Sequence, residues 1–305
     1  MNPSKSFAAF ALTLFAAGCS SEDEKPGSPS ETQNTLTDVA RANGNFTTLV
    51  GALEATGLDV ALEGEGPFTV MAPTDAAFAR FPDGVVASLD AATLEKILKY
   101  HVVAGEALAA DVVTMTSATT LEGDVVSISA GADGVFLNAA TEVVQTDVMA
   151  DNGVIHVIDS VLLPPDIAFP GTLVDAVSAY PAFDTLVGAV VSAELAGALG
   201  GTNDGKGYTL FAPTNTAFDA LGVELSTLEK SALSNVLLYH VVGDTVDAST
   251  VVGLTSAPTL EGSSLAISVA GGGVTLDGDV KVVRTDFRAS NGIIHVVDGV
   301  LMPEN

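Results

Sequence analysis

The chain has 305 residues, and its 38 acidic residues against 11 Lys or Arg give a formal net charge of −27 at pH 7. A surface this acidic repels phosphate groups, so the composition argues against nucleic acid as a partner and against electrostatic docking on anionic membranes. Hydrophobic residues make up 48% of the chain, which supplies enough apolar side chains for two domains of about 130 residues each.

The N-terminus has the pattern of a bacterial lipoprotein signal. An apolar run of 11 residues, 7–17, is too short for a membrane span of roughly 20 residues but fits a secretory signal. The sequence AAGC at 16–19 resembles a lipobox, although Ala16 stands where that pattern favours Leu. We therefore predict a signal peptide over residues 1–18 and lipid attachment at Cys19, the chain's only cysteine. An ordinary secretory peptide is the alternative, and both place the mature protein outside the cytoplasm.

The next segment, residues 19–35, is rich in Ser, Glu and Pro and has no apolar periodicity. It cannot bury enough surface to order itself, so we predict a disordered tether. Once Cys19 carries lipid, no thiol remains for a disulfide or a Cys-ligated metal. The domains that follow must therefore be stabilised by apolar cores.

The remainder of the chain contains the same sequence landmarks twice. FTVMAPTDAAF at 68–78 returns as YTLFAPTNTAF at 208–218, and NGVIHVIDSVLLP at 152–164 returns as NGIIHVVDGVLMP at 291–303. The shift is 140 residues for the first pair and 139 for the second. That is the size of a whole domain and is far longer than a solenoid repeat of roughly 20 to 50 residues. The chain therefore contains two copies of one module.

Each copy begins with helices, which are predicted from apolar residues at helical spacing after Leu36 and after Leu173. A short strand follows, at 68–71 in the first copy, and the Pro-Thr behind it predicts a strand end and a helix N-cap. The next helix ends in Tyr-His in both copies. In the second copy, a capping box formed by Ser226 and Glu229 is expected to mark the start of that helix.

The second half of each copy predicts antiparallel hairpins. Short strands flank Ala-Asp-Gly at 132–134 and Gly-Gly-Gly at 271–273. Longer strands flank Asn152-Gly153 and the same dipeptide at 291–292, where we expect type I′ turns with positive φ at both residues. Helices followed by antiparallel hairpins predict an α+β fold for each copy, with the boundary at Pro164-Pro165.

An Ala-Pro-Thr block, a central Tyr-His and a terminal Asn-Gly-x-Ile-His-Val block, found in this order twice, resemble the fasciclin domain family. The resemblance covers residues 36–164 and 170–303, which we predict to be two tandem domains. It implies that each domain is a wedge or sandwich of β-strands flanked by helices. It also implies a location on cell surfaces or in matrices, and adhesion through protein contacts rather than catalysis.

The resemblance places candidate partner-binding residues at two points in each copy. The family's adhesion-linked Tyr-His motif and a second adhesion stretch, over 145–149 and 284–288, give the candidates Tyr100, His101, Asp147, Val148, Tyr239, His240, Asp286 and Phe287. A structural role is the competing interpretation for the Tyr-His pairs, with their rings buried and their polar atoms bonded to the backbone.

The sequence carries no motif of a serine hydrolase, a zinc protease or a phosphate-binding loop. His156 and Asp159 are three residues apart on a predicted strand, so they lie on opposite faces and cannot form a dyad within it. We therefore expect no catalytic residue, no cofactor and no metal site.

These observations predict a non-enzymatic adhesion or protein-binding module presented by a lipid anchor. Its expected partners are surface or matrix proteins, together with the lipid bilayer through acylated Cys19. Binding of an envelope or matrix polysaccharide is the first alternative, although the chain has no Trp and only four Tyr for stacking on sugar rings. An unrecognised hydrolase is the second. The expected location is the outer membrane, the cell surface or the periplasm, with secretion as the remaining alternative.

Overall fold

The computed structural model describes residues 34–64, 66–222 and 229–303. The predicted signal peptide, Cys19, most of the tether and Ser226 of the expected capping box lie outside these ranges. The helices of the first domain are α1 Leu36–Asn43, α2 Thr47–Thr56, α3 Leu58–Leu62, α4 Asp75–Phe78, α5 Val85–Ser88, α6 Ala91–Tyr100 and α7 Ala109–Val112. Its strands are β1 Phe68–Pro73, β2 Val102–Ala104, β3 Ser117–Thr119, β4 Val125–Gly131, β5 Gly134–Leu137, β6 Thr141–Ala150 and β7 Gly153–Ile158.

The second domain repeats this order. Its helices are α8 Leu173–Ser178, α9 Asp184–Ser192, α10 Ala196–Leu199, α11 Asn215–Leu221, α12 Lys230–Tyr239 and α13 Ala248–Val251, with a 3-10 turn at Pro181–Phe183. Its strands are β8 Tyr208–Pro213, β9 Val241–Val242, β10 Ser256–Pro258, β11 Ser264–Ala270, β12 Gly273–Leu276, β13 Val280–Ala289 and β14 Gly292–Val297. Within the described ranges, no helix has the length and apolarity needed to cross a membrane.

Threonine side chains begin several of these helices. Thr35 and Asp38 form a capping box at α1, because Thr35 Oγ1 accepts from the Asp38 N–H at 3.3 Å and the Asp38 carboxylate accepts from the Thr35 N–H at 3.2 Å. The N-caps predicted at Thr74 and Thr214 are confirmed, since each hydroxyl accepts from the backbone N–H three residues later. These caps end the strands β1 and β8 and turn the chain into the next helix.

Each domain contains a seven-stranded sheet, ordered β2-β1-β7-β6-β5-β4-β3 in the first and β10-β11-β12-β13-β14-β8-β9 in the second. The pairs β1–β7 and β8–β14 are parallel, and the other strand pairs are antiparallel. Backbone bridges from Val103 to Thr120 and from Val242 to Thr259 bring the two ends of each sheet together. The predicted α+β fold is confirmed, and it includes one parallel pair per domain that joins its two halves.

The Asn-Gly dipeptides do not form the predicted type I′ turns. Ala150 pairs with Gly153, so the two-residue loop is Asp151-Asn152, and neither loop residue has a positive φ. Asn152 instead accepts from the Leu36 N–H at 2.9 Å. Its amide also donates to the carbonyls of residues 62 and 64, at 2.6 and 3.2 Å. The side chain therefore ties the helical half of the domain to the hairpin.

The glycine of each dipeptide is required by the neighbouring parallel strand. A Cβ on Gly153 would lie 2.0 Å from Phe68 O, and a Cβ on Gly292 would lie 2.2 Å from Tyr208 O. The turn prediction was wrong because tertiary contact, rather than turn geometry, selects this dipeptide.

Aromatic packing continues from the first domain into the second. The Phe81 ring of the first domain lies 5.0 Å from the Phe169 ring of the connecting segment, measured between centroids. Phe169 in turn meets Phe287 at 6.2 Å, and Phe287 meets Tyr180 at 5.3 Å, both edge to face. These rings belong to one hydrophobic cluster that also includes Val161 and Leu163 at the predicted boundary.

Polar contacts join the domains at the same place. Arg80 donates to both carboxylate oxygens of Asp184, at 2.9 and 3.1 Å, and to Ser178 O at 3.1 Å. The Tyr180 hydroxyl donates to Val161 O at 3.0 Å. A bidentate ion pair fixes orientation as well as distance, so these contacts and the aromatic cluster together set the angle between the domains.

Candidate functional site

Helices α6 and α12 carry the Tyr-His motifs into the protein interior. Asp90 caps α6 by accepting from the Thr93 N–H at 3.0 Å, and the helix then buries its apolar face. At the end of this helix, Tyr100 and His101 are each 2% exposed. Tyr239 and His240 occupy the same places after α12 and are also buried.

The rings of the two motif histidines are neutral, and each connects a helix to the terminal block of its domain. His101 Nδ1 donates to Ile97 O at 2.7 Å, and its Nε2 accepts from the Leu162 N–H at 2.9 Å. His240 makes the same two contacts, with Val236 O and the Leu301 N–H, at 2.8 and 2.9 Å. A ring with one donating and one accepting nitrogen is uncharged. Burial lowers the pKa of both histidines to about 4.

The motif tyrosines bond to the hairpin half of each domain, at Val125 of β4 and Asn138 after β5 in the first domain and at Asp277 after β12 in the second. Tyr100 Oη donates to Val125 O and accepts from Asn138 Nδ2, both at 3.1 Å, and burial raises its pKa. Tyr239 Oη donates to Asp277 Oδ2 at 2.8 Å. These contacts give the four motif side chains a structural role, and their contact with a partner stays a prediction.

Asp147 and Asp286 lie at bulges in β6 and β13, where the pairing register shifts. Their φ angles of 57° and 58° are left-handed, a conformation that Asp tolerates better than most residues. Asp147 Oδ1 accepts from the Ala109 N–H at 2.8 Å, and Asp286 Oδ1 accepts from the Ala248 N–H at 2.9 Å. Each carboxylate thus satisfies a first-turn N–H of a short helix, while Asp147 is exposed and Asp286 half-buried.

The strand histidines, His156 and His295, bond to the backbone at these bulges. His156 Nε2 donates to Ala107 O at 2.7 Å, and its Nδ1 accepts from the Asp147 N–H at 3.4 Å. His295 repeats this arrangement with Val246 O and the Asp286 N–H, and burial lowers its pKa. The structure therefore brings each Asp together with the strand histidine and not with the Tyr-His motif.

Chemistry at these histidines is limited by their contacts. All four imidazoles are bonded to backbone groups on both nitrogens. Asp159 accepts from the Glu142 N–H at 2.9 Å and from the Ser160 hydroxyl at 2.8 Å. Over the ranges that the structure describes, no group of three or more His, Cys, Asp or Glu is placed to hold a metal ion.

The last two candidates show how the copies differ. Val148 is half-buried, and its neighbours Val144 and Met149 are exposed on the first domain. Phe287, at the equivalent position, is buried in the interdomain cluster, and the Arg284 guanidinium lies 4.8 Å from its ring centroid. The side chain at this position is therefore half-buried in the first domain and packs into the interdomain cluster in the second.

The fasciclin domain model matches the sequence twice, over residues 44–164 and 181–303. The chain belongs to the fasciclin domain family. Among solved structures, a FAS1 domain pair from the insect cell adhesion molecule Fasciclin I aligns with 86% of this chain and 98% of its own length, with a TM-score of 0.50. At 20% identity, this likeness shows the fold alone.

Curated relatives include bacterial and animal proteins. Protein sll1483 of Synechocystis is 48% identical over 135 residues, which cover 43% of this chain and 74% of the relative. Transforming growth factor-beta-induced protein ig-h3 of Sus scrofa is 30% identical over 253 residues, which cover 80% of this chain and 36% of the relative. Human periostin is 28% identical over 259 residues, or 83% of this chain and 30% of periostin. The chain thus spans about a third of the length of these two animal proteins.

Two features of these fasciclin domains were missed in the sequence. Asn291 donates to Leu199 O and accepts from the Leu173 N–H, as Asn152 does in the first domain, but the turn interpretation hid this role. Phe169 lies between the two predicted domains, and no role was predicted for it. A lone aromatic residue beside Pro170 was the available signal for a docking contact there.

Proposed function

We propose that this protein is a lipid-anchored, non-enzymatic adhesion module that binds a surface or matrix protein outside the cytoplasm. The observation that carries the proposal is the tandem of fasciclin domains, which shares its fold with a domain pair from an insect cell adhesion molecule. The matching family and the animal relatives indicate no catalytic family. The hydrogen bonds that occupy all four histidines are consistent with a scaffold.

Attachment to cells tests this function. Beads coated with the full chain should attach to cells that present the natural partner on their surface, and pretreatment of those cells with protease should abolish attachment. Beads coated with heat-denatured chain are the control. If native and denatured chains attach equally, or neither attaches, the adhesion proposal fails.

Polysaccharide binding is the second candidate, because one relative is a fasciclin-like arabinogalactan protein of the fungus Arthroderma benhamiae, 31% identical over 169 residues. The net charge of −27 opposes binding of an anionic polymer. Attachment that survives protease but is lost after polysaccharide-degrading enzymes would favour this candidate.

Asp147 and Asp286 are the candidate residues that combine some exposure with an unused carboxylate oxygen in the described contacts. We expect the double variant Asp147→Asn, Asp286→Asn to keep the helix-capping bond and the left-handed φ but to weaken bead attachment, because it removes both charges. The variants Asp147→Ala and Asp286→Ala should each lose about 1 to 2 kcal/mol of stability, because the cap is lost.

Thermal unfolding separates these two effects. A double Asn variant that melts like the wild type and attaches equally well would remove both residues from the interface.

Lipid anchoring at Cys19 carries a separate prediction. The wild type should incorporate a labelled fatty acid and fractionate with membranes, whereas Cys19→Ser should be released in soluble form, because it has no thiol to acylate. Ser20→Ala is the matched control and should remain anchored. A wild type that takes up no label would exclude the anchor and leave the ordinary secretory peptide.

A further inference from the structure

A cleft of about 670 Å³ lies between the two domains. We call it the interdomain cleft. Its first wall is the β4–β5 hairpin of the first domain together with Glu142 and Asp159. Its second wall is the start of α11, the neighbouring Pro181 and Asp298 of the second domain. A volume of this size accommodates a short peptide segment or a small molecule.

The charge on these walls has one sign. Among the residues that the structure describes, five carboxylates line the cleft and no Lys or Arg does. They belong to Asp133, Glu142, Asp159, Asp219 and Asp298. Within the described ranges, none of the five forms an ion pair. Arg80, whose charge acts on Asp159, is bonded to Asp184 instead. Burial raises the pKa of Asp159, and the charge of Glu142 adds to the rise. A cation in the cleft would relieve this repulsion.

The rest of the lining is largely apolar. Phe136 is half-buried, and Val283 is 46% exposed where it lines the cleft. Ala130 is exposed on the hairpin wall. A half-exposed aromatic ring among carboxylates suits the long methylene chain and charged head of Lys or Arg. An anionic sugar polymer has neither the positive charge that suits the carboxylates nor the methylene chain that suits the ring.

We propose that the interdomain cleft binds an extended segment of a partner protein in which Lys or Arg alternates with apolar residues. This rests on the proposed function and names the partner class for it. The cleft exists only in the tandem, because its walls come from different domains. The ion pair between Arg80 and Asp184 and the ring contacts of Phe169 hold those walls at a fixed separation. The duplication thus creates a site that a single fasciclin domain lacks.

Peptide binding to the full chain tests the proposal. The probe is a fluorescein-labelled peptide of sequence Lys-Val-Lys-Val-Lys-Val. Its binding is measured by fluorescence anisotropy at two salt concentrations. A Glu-Val peptide of the same length is the negative probe. The triple variant Asp133→Asn, Glu142→Gln, Asp219→Asn should bind the lysine peptide about tenfold more weakly than the wild type, because three charges that face the ligand are lost.

A second triple variant separates the cleft from the overall charge. Asp83→Asn, Glu106→Gln and Asp204→Asn remove the same number of charges from exposed positions outside the cleft lining. This control should bind within about twofold of the wild type. Ala130→Trp keeps every charge but places an indole ring on the hairpin wall, where it obstructs the cleft, and it should bind as weakly as the cleft triple variant. Equal weakening by the two triple variants, or wild-type affinity in Ala130→Trp, would overturn the proposal.

Bead attachment separates this proposal from adhesion itself. If the cleft triple variant loses the peptide and also loses attachment, the cleft is the adhesive site. If it loses the peptide but attaches like the wild type, the cleft is not the adhesive site and the adhesion function stands. A wild type that binds the peptide but attaches to nothing contradicts the adhesion function alone.

Discussion

Replacing Gly292 with Ala should destabilise the second domain by about 3 kcal/mol or more. The added Cβ would lie 2.2 Å from Tyr208 O and 2.9 Å from Tyr208 N. Both are backbone atoms of the parallel strand β8, so no side-chain rotation relieves the contact. The pair β8–β14 must separate, and this pair joins the helical half of the domain to the hairpin half.

Urea denaturation of the full chain measures this effect, with Gly273→Ala as the matched control. Gly273 also begins a strand after a hairpin loop, but its nearest contact for an added Cβ is Ala270 O at 3.7 Å. Gly153→Ala should repeat the loss in the first domain, since its Cβ would lie 2.0 Å from Phe68 O. Similar midpoints for Gly292→Ala and Gly273→Ala would mean that the strands are not packed this closely.

The parts of the fold that were predictable from the sequence are those with local or repeated signals. The repeated blocks predicted two domains. Thr74 and Thr214 predicted helix starts, because each hydroxyl accepts a hydrogen bond from the backbone N–H three residues later. The parallel pairing of β1 with β7 was not predictable in this way. The alternation of apolar and polar residues along a strand predicts which face is buried. It does not predict pairing with a strand about 85 residues away.

The Asn-Gly dipeptide shows how a local rule fails. Its usual role in two-residue hairpins predicted a turn, and a two-residue loop is indeed present one position earlier. The position of Asn152 is set by Leu36 and Leu62, and that of Gly153 by Phe68, all of which are distant in sequence. Tertiary contacts therefore decided the local geometry.

The candidate site was only partly predictable for a related reason. The motif residues can be named from the sequence, but their burial depends on how α6 packs against the terminal block through His101 and Leu162. The interdomain cleft was not foreseen. Its walls carry Glu142 and Asp219, which are 77 residues apart and carry no motif.

Acidification between pH 6.5 and about 4 should lower the free energy of unfolding by about 1.4 kcal/mol per pH unit for each of His101 and His240. Burial lowers the pKa of each folded ring from 6.5 to about 4. Between these values the unfolded chain binds protons that the folded chain does not. The stability that depends on neutral rings is therefore fully present above pH 6.5 and is lost as the pH falls through about 4.

Variants separate this effect from that of the carboxyl groups. Burial raises the pKa of Asp159, so the folded form of this group takes up a proton before the unfolded form and contributes a slope of opposite sign. The difference in slope between the wild type and a histidine variant excludes the contribution of Asp159, because Asp159 is present in both proteins.

Urea denaturation at several pH values should show a smaller slope of unfolding free energy against pH in His240→Gln and in His101→Gln. Each variant should lose about 1.4 kcal/mol per pH unit of slope, which corresponds to one proton. Both variants will also be less stable at pH 7, because Gln cannot bond to the helix carbonyl and to the N–H of the terminal block in the same geometry. Val236→Ala is the matched control: it loses buried methyl groups beside His240, so it should be less stable at every pH but keep the wild-type slope. If His240→Gln and Val236→Ala have the same slope, the His240 ring titrates alike in the folded and unfolded chains, and its neutral hydrogen bonds to Val236 and Leu301 are not the cause of acid sensitivity.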